Sequence, residues 1–182
     1  MDDDYSQRLL TKAATSLDRI GATMGEITEI TRRVSQAQGV ASGELDRATA
    51  EGRRDAATRN AILREVVETT ERIQPRLETL TTWLQVDVAT TDATVTMVLD
   101  RAADYRDDDA VRRLIREIVG LGAAWTKFSE QQDQTIKAMN SLMEHEALRK
   151  AVSRRAAALE RVIAAGAPLT VIAEQARSLT DR

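Results

Sequence analysis

Glu130 and Gln134 come nearest in this sequence to a pair whose types and spacing could perform catalysis. They are four positions apart, so on a helix they lie one turn apart and point the same way. An acid and an amide placed in this way can hold a metal ion and orient a water molecule for attack on an aspartyl phosphate. The same spacing is common on any polar helix, where both side chains simply face water. Either interpretation requires a helix in this part of the chain.

Other chemistry-bearing residues are isolated. His145 is the only histidine and the chain has no Cys, so a histidine-based metal site and a Ser-His-Asp arrangement both lack parts. His145-Glu146 matches the opening of a histidine-kinase phosphoacceptor motif, but residues 147–150 lack the expected Pro. Tyr105 and Asp109 form a Y-x-x-x-D spacing seen in some exported helical hairpins. We therefore predict no catalytic residues, no metal ligands and no cofactor, and expect His145 to be partly exposed on a helix.

The composition favours long helices and a thin core. Of 182 residues, 42% are hydrophobic but only 3% are aromatic, and two Pro and eight Gly leave few places where the chain must turn. The 26 basic and 29 acidic residues are interspersed and give a net charge of −3, so nucleic acid is an unlikely partner. Neither a signal peptide nor an apolar run of spanning length is evident. We expect a cytoplasmic chain without a membrane span.

One local cluster of basic residues departs from this mixed charge pattern. Arg149, Lys150, Arg154 and Arg155 fall on one face of a predicted helix. Acidic residues flank the cluster, and it has no interleaved aromatic residues on which nucleic-acid bases could stack. We interpret these four residues as a solvated helix face.

The longest periodic pattern is an apolar seam over residues 10–48. Its positions alternate by three and four, the spacing that keeps a seam facing a partner helix. One row consists of Leu10, Leu17, Met24, Thr31, Gln38 and Leu45, and the other of Ala13, Ile20, Ile27, Val34, Ala41 and Ala48. Thr31 and Gln38 put polar groups into the seam. A buried Gln38 amide must be paired, and its simplest partner in a symmetric homodimer is the other chain's Gln38, so we expect Gln38→Leu to raise thermal stability while loosening the oligomeric preference.

The chain 1–182 is interpreted as a single helical module with four or five helices. The expected helices cover approximately residues 5–73, with a possible break near 39–43, then 75–105, 108–165 and 169–180. Pro75 suits the first turn of a helix, with a kink as the alternative, and Gly166 suits a C-terminal cap. Residues 83–99 are rich in β-branched side chains, so a short β-hairpin is the alternative there.

A stripe of large side chains follows in the third helix. Trp125, Phe128, Gln132 and Met139 recur at helical spacing in step with aliphatic residues. Core packing explains this stripe, with Gln132 forming a second polar layer like that of Gln38. Together with Gln38, these residues are the packing or interaction candidates of the chain.

Two segments resemble the helices of methyl-accepting chemotaxis receptors. RIGATMGEITEITRRVSQAQGVASGELDRATAEG at 19–52 is similar to their Ala-, Thr-, Glu- and Gln-rich coiled coils, and VIAEQARSLTDR at 171–182 is similar to the segment after their cytoplasmic hairpin tip. The resemblance implies a helical signalling fragment, and we carry over no functional residues from it.

The sequence thus predicts an all-α, elongated antiparallel helical bundle or coiled-coil hairpin that acts by binding a protein, with homodimers expected. The favoured role is a non-enzymatic interaction module in bacterial signalling or scaffolding, of which a chemoreceptor-type sensor or signalling fragment is the specific form. The alternatives are a helical phosphatase acting on a phosphorylated response regulator through Glu130 and Gln134, and an exported or surface-assembling helical hairpin protein.

Overall fold

The structure, a computed structural model, describes residues 2–180 and is helical almost throughout. Helix α1 spans Asp2–Ala50, α2 Ala56–Asp100 and α3 Asp109–Met139. A 3-10 segment, Asn140–Glu144, leads into α4, Glu146–Gly166, and α5, Pro168–Thr180. The predicted all-α bundle is confirmed. Residues 83–99 lie inside α2, so the hairpin alternative is wrong.

The helices form two antiparallel hairpins that pack side by side. In the first, Arg19 of α1 pairs with Asp87 of α2 and Glu26 pairs with Arg76, so the two helices run in opposite directions. In the second, α3 lies along α5 and the end of α4, and the second hairpin meets the first mainly through α4 on α2. At 1.5 Å per residue the 49 residues of α1 extend about 73 Å, which makes the bundle elongated.

The predicted seam of α1 faces the interior. Leu10 and Met24 are partly buried, and every other predicted seam position is buried. Ile20, Ile27 and Gln38 are completely inaccessible to solvent. The three-four spacing therefore located the packed face of this helix along its whole predicted length.

The break after the first helix lies elsewhere than predicted. Gly39 and Gly43 continue α1, and the chain turns only at 51–55, where Gly52 adopts a φ of 74° that favours glycine. Asp55 then caps α2, because its carboxylate accepts hydrogen bonds from the Thr58 backbone N–H at 2.8 Å and from the Thr58 hydroxyl at 2.7 Å. These bonds lower the pKa of Asp55. The predicted helix 5–73 is thus two helices, and neither an unbroken helix nor a break at 39–43 is correct.

The other predicted boundaries need smaller corrections. Pro75 lies inside α2 and does not begin a helix. The predicted helix 108–165 is interrupted at 140–145, although it starts as expected with Asp108, whose carboxylate accepts from the N–H groups of Ala110 and Val111. Gly166 ends α4 without the left-handed backbone of a glycine cap. Its role is one of packing space, as described below.

Candidate functional site

The predicted stripe on α3 is a packed core layer. Trp125, Phe128, Gln132 and Met139 are all 5% exposed or less. The Trp125 and Phe128 rings lie 5.1 Å apart at an interplanar angle of 41°, a tilted aromatic pair. The Trp125 indole also lies flat against the backbone of Gly166, where a Cβ atom would overlap it. Glycine is needed there because α4 must approach the indole closely.

A second layer, in the middle of α4, is polar and centres on Arg155. The Arg155 side chain crosses from α4 to α1, and the residue is only 3% exposed. Nη1 donates to Gln38 Oε1 at 2.6 Å, and Nη2 donates to the Thr31 carbonyl at 2.8 Å and to Ser35 Oγ at 2.7 Å. All three acceptors are neutral and come from α1. We call these four residues the Arg155 layer.

The Arg155 layer contains a buried cation without a buried anion. No carboxylate of the described residues pairs with Arg155, and burial lowers the pKa of its guanidinium to about 10. That value keeps Arg155 charged at neutral pH, so the layer depends on dipoles alone to offset the loss of hydration. Gln38 Nε2 and Thr31 Oγ1 in the same layer lack hydrogen-bond partners, as do the buried Thr70 Oγ1 and Gln132 Oε1 elsewhere in the described core. Burying this charge and these unpaired polar atoms therefore lowers the free energy of unfolding that the layer contributes.

This layer overturns two predictions made from the sequence. We expected Gln38 to pair with Gln38 of a second chain, and this is wrong. Gln38 is fully buried within one chain, where its amide oxygen accepts a hydrogen bond from Arg155. The predicted solvated face is wrong for Arg155, while Arg149, Lys150 and Arg154 are exposed as expected. The homodimer stays a prediction, but Gln38 no longer gives a reason for it.

Arg155 could have been found by spacing. It occupies a seam of α4 that steps by three and four, and the buried members of that seam are Leu148, Val152, Arg155, Leu159, Val162 and Gly166. Its charge suggested the surface, whereas its position indicated the interior.

A second buried charge belongs to the first hairpin and is arranged differently. Asp87 of α2 is completely buried, and its two carboxylate oxygens accept from Arg19 of α1, with Nε to Oδ2 at 3.1 Å and Nη2 to Oδ1 in a shorter contact. The Arg19 side chain is 57% exposed, so the cation keeps much of its hydration while it neutralises the buried acid. This bidentate pair fixes the register of α1 against α2.

The exposed apolar side chains concentrate on the outside of the first hairpin. A shallow groove of about 560 Å³ runs between α1 and α2, with Tyr5, Leu9, Val86, Ala89 and Ala93 among its lining residues. A second depression shares Tyr5, Leu9 and Ala93 with it and continues to Asp100. Tyr5 is 64% exposed and Val86 is 56% exposed. We call this continuous surface the outer groove.

Trp83 extends the apolar surface by one helical turn beyond Val86. It is 46% exposed, and the Arg76 guanidinium lies 4.9 Å from the centre of its ring. Arg76 is held there by Glu26, which accepts from its Nε at 2.6 Å and from Nη2 at 2.8 Å. These hydrogen bonds lower the pKa of Glu26. The indole is therefore fixed in an orientation that leaves one side to solvent.

The other candidate residues do not converge. Glu130 and Gln134 are exposed on α3, so the phosphatase interpretation stays a prediction. His145 precedes α4, partly exposed, with Nε2 at 3.4 Å from Asp46 Oδ1. Tyr105 lies in the turn before α3. No group of three or more His, Cys, Asp or Glu residues suited to a metal ion occurs in the described part of the chain.

One stretch has the length and composition of a membrane span. Within 146–180, which covers α4 and α5, an 18-residue window has a mean hydropathy of 1.5, and 44% of it is buried inside the bundle. Core helices of water-soluble bundles meet the same criterion, and here the segment packs on α2 and α3. The absence of a membrane span therefore stays a prediction.

Comparisons with known proteins found no family model, no curated protein and no solved structure that matches this chain. The chemoreceptor resemblance accordingly stays a hypothesis, and residues 181–182 of its second segment lie outside the described part of the chain.

Proposed function

We propose that this chain is a non-enzymatic helical interaction module that works in bacterial signalling or scaffolding by binding a protein through the outer groove. The observation that carries the proposal is the placement of Tyr5, Trp83 and Val86, which are large, apolar and exposed on one side of one hairpin. Isolated exposed apolar residues are ordinary, but a contiguous strip along a groove is typical of an interaction surface.

The shape of the outer groove also favours a helical occupant. It follows two antiparallel helices, and its floor is built from small residues such as Ala89 and Ala93. A groove of this form accepts the apolar side of another helix, whose side chains enter between the two rows. The signalling role has weaker support, which is the resemblance of residues 19–52 to chemoreceptor helices.

Site-specific photo-crosslinking in the native host tests the proposal. A photoreactive residue at position 93, inside the groove, should form covalent adducts with a protein, whereas one at position 171 should not. Val171 is a matched control because it is 55% exposed and lies on α5, away from the groove. Val86→Asp should abolish the adducts formed from position 93, because it puts a charge on the apolar contact, and Val171→Asp should leave them unchanged.

The proposal fails if position 93 gives no adducts, or if position 171 gives the same adducts as position 93. Circular dichroism of each variant establishes that the helical content is unchanged. Both valines are exposed, so neither substitution disturbs the core.

A further inference from the structure

We infer that the occupant of the outer groove is the outer groove of a second copy of this chain, in a dimer whose twofold axis runs parallel to α1 and α2. This inference rests on the proposed function and names its partner. It rests on the charges beside the groove, which differ between the two helices.

The two rims of the groove carry opposite charge. On the α1 side, Arg8 and Lys12 line the groove. On the α2 side, Asp100 and Arg101 line the far end with opposite charges, and the exposed Asp92 lies one helical turn from Ala89 and from Thr96, which both line the groove. Arg8 is already paired with Asp4 at 2.7 Å, but neither Lys12 nor Asp92 forms an ion pair in the described part of the chain. One uncompensated cation and one uncompensated anion thus flank the same apolar strip.

Lys12 and Asp92 also lie at about the same height along the hairpin. Lys12 precedes Arg19 by seven residues and Asp92 follows Asp87 by five, so in antiparallel helices the two lie within about 3 Å of the same height. The Arg19–Asp87 pair fixes this register. A rotation by 180° about an axis parallel to the helices leaves the position of each residue along that axis unchanged, and it exchanges the α1 side of the groove with the α2 side. It therefore brings α1 of one copy over α2 of the other, with Lys12 opposite Asp92 of the second copy, and the contact occurs twice.

The charges also select this axis over the competing one. An axis in the plane of the interface but perpendicular to the helices would place α1 over α1 of the other copy, which brings the Arg8 and Lys12 rims together and the Asp92 rims together. Like charges placed face to face oppose association, so the parallel axis is favoured. A surface that is complementary to itself in this way suits the isologous interface of a twofold dimer.

The size of the surface indicates a weak dimer. The groove together with the adjacent Trp83 extends about 26 Å along α2, from Trp83 to Asp100, and two adjacent helices are about 20 Å wide, so each copy offers about 500 Å². The total of about 1,000 Å² is at the lower limit for a specific interface. Apolar contacts of Tyr5 and Val86 supply the affinity, and the Lys12–Asp92 pairs supply the orientation.

Sedimentation equilibrium of the full chain, from about 1 µM to 1 mM, tests the inference. The wild type should associate to a dimer. Lys12→Glu and Asp92→Lys should each weaken the dimer by about tenfold or more, because each creates two like-charge contacts. The double variant Lys12→Glu/Asp92→Lys should restore the wild-type dissociation constant, since it exchanges the two charges. Lys127→Glu, at an exposed lysine of α3, is the control and should change nothing.

A wild type that stays monomeric throughout this range overturns the inference, and so does a dimer that Lys12→Glu leaves intact or that the double variant fails to restore. The proposed function is judged separately by the crosslinks from position 93. Adducts with a different protein, combined with a monomeric wild type, leave the proposed function standing and remove the second copy. A monomer without such adducts removes both.

Discussion

Helix α4 takes part in two layers of the bundle that are stabilised by opposite means, one within the second hairpin and one between the two hairpins. At its end, the backbone of Gly166 lies against the ring carbons of the Trp125 indole. Three turns earlier, Arg155 brings a charge into the core and meets only neutral acceptors from α1. The first layer stabilises by shape and buried area, whereas the second gains little net free energy but has directional bonds. Apolar contact therefore stabilises the second hairpin, and the polar layer sets the register of α4 against α1.

The largest effect should come from removing the apolar layer's central side chain. Trp125→Ala leaves a cavity between α3 and α4 and should lower the free energy of unfolding by about 3–5 kcal/mol. Urea denaturation followed by circular dichroism measures the change. Phe128→Leu, in the same layer, should cost less because most of the volume is kept. A Trp125→Ala protein as stable as the wild type would show that this layer does not stabilise the second hairpin.

Replacing both partners of the polar layer should raise the free energy of unfolding, whereas Trp125→Ala lowers it. In Gln38→Leu/Arg155→Met the buried cation and its main acceptor become apolar side chains of similar size, so the free energy of unfolding should rise by about 1–4 kcal/mol. The gain should be equal at pH 5 and pH 8, because Arg155, with a pKa of about 10, is charged at both. It should shrink above pH 10, where the folded wild type releases this proton more readily than the unfolded chain does. A double variant less stable than the wild type would mean that the Arg155 layer is net stabilising.

Replacing Gln38 alone should destabilise the protein. Gln38→Leu leaves Arg155 Nη1 buried without its acceptor, which should cost about 1.5–3 kcal/mol. This replaces the expectation, drawn from the sequence, that Gln38→Leu would raise stability. Together with Arg155→Met alone and the double variant, this variant gives the coupling energy of the two residues in a double-mutant cycle. A coupling energy near zero would contradict the hydrogen bond at 2.6 Å.

The smallest expected effect comes from adding a single methyl group. Gly166→Ala would place its Cβ on the Trp125 ring, and we expect a loss of about 1–3 kcal/mol as the indole or the helix shifts. Gly120→Ala is the matched control, because its added Cβ would meet no atom within 4 Å and alanine is the better helix former. Equal thermal denaturation midpoints for the two variants would show that α4 does not need to approach the indole so closely.

The sequence predicts the packed faces of this molecule better than its breaks. The seam of α1 and the Trp125 stripe were recognisable because burial imposes a period on residue types. The break at 51–55 was not, because Gly39 and Gly43 are also helix-weakening residues, and only the structure shows that they have open space around them while Gly52 takes a positive φ. A long helix tolerates glycine where packing on its other face holds it.

The polar layer and the outer groove were harder to predict, for different reasons. Arg155 lies at a seam position, which indicates burial, but its charge indicated exposure. The charge was given more weight because buried arginines without an acid partner are rare. The residues that line the outer groove come from two helices and do not recur at one regular spacing in the sequence. Tyr5 and Val86 are far apart in sequence and line one groove only because α1 and α2 are antiparallel in a particular register. The buried carboxylate that helps to fix this register, Asp87, lies in a segment rich in β-branched residues.

The chain contains two tryptophans, and their different surroundings give the protein two separate optical signals. Trp125 is 2% exposed in an apolar layer, so its fluorescence should be blue-shifted and protected from acrylamide until the second hairpin unfolds. Trp83 is 46% exposed beside the outer groove, so acrylamide should quench it in the native protein and anything that covers the groove should protect it. Unfolding and surface contact can thus be followed in one cuvette, without a label, at two emission wavelengths.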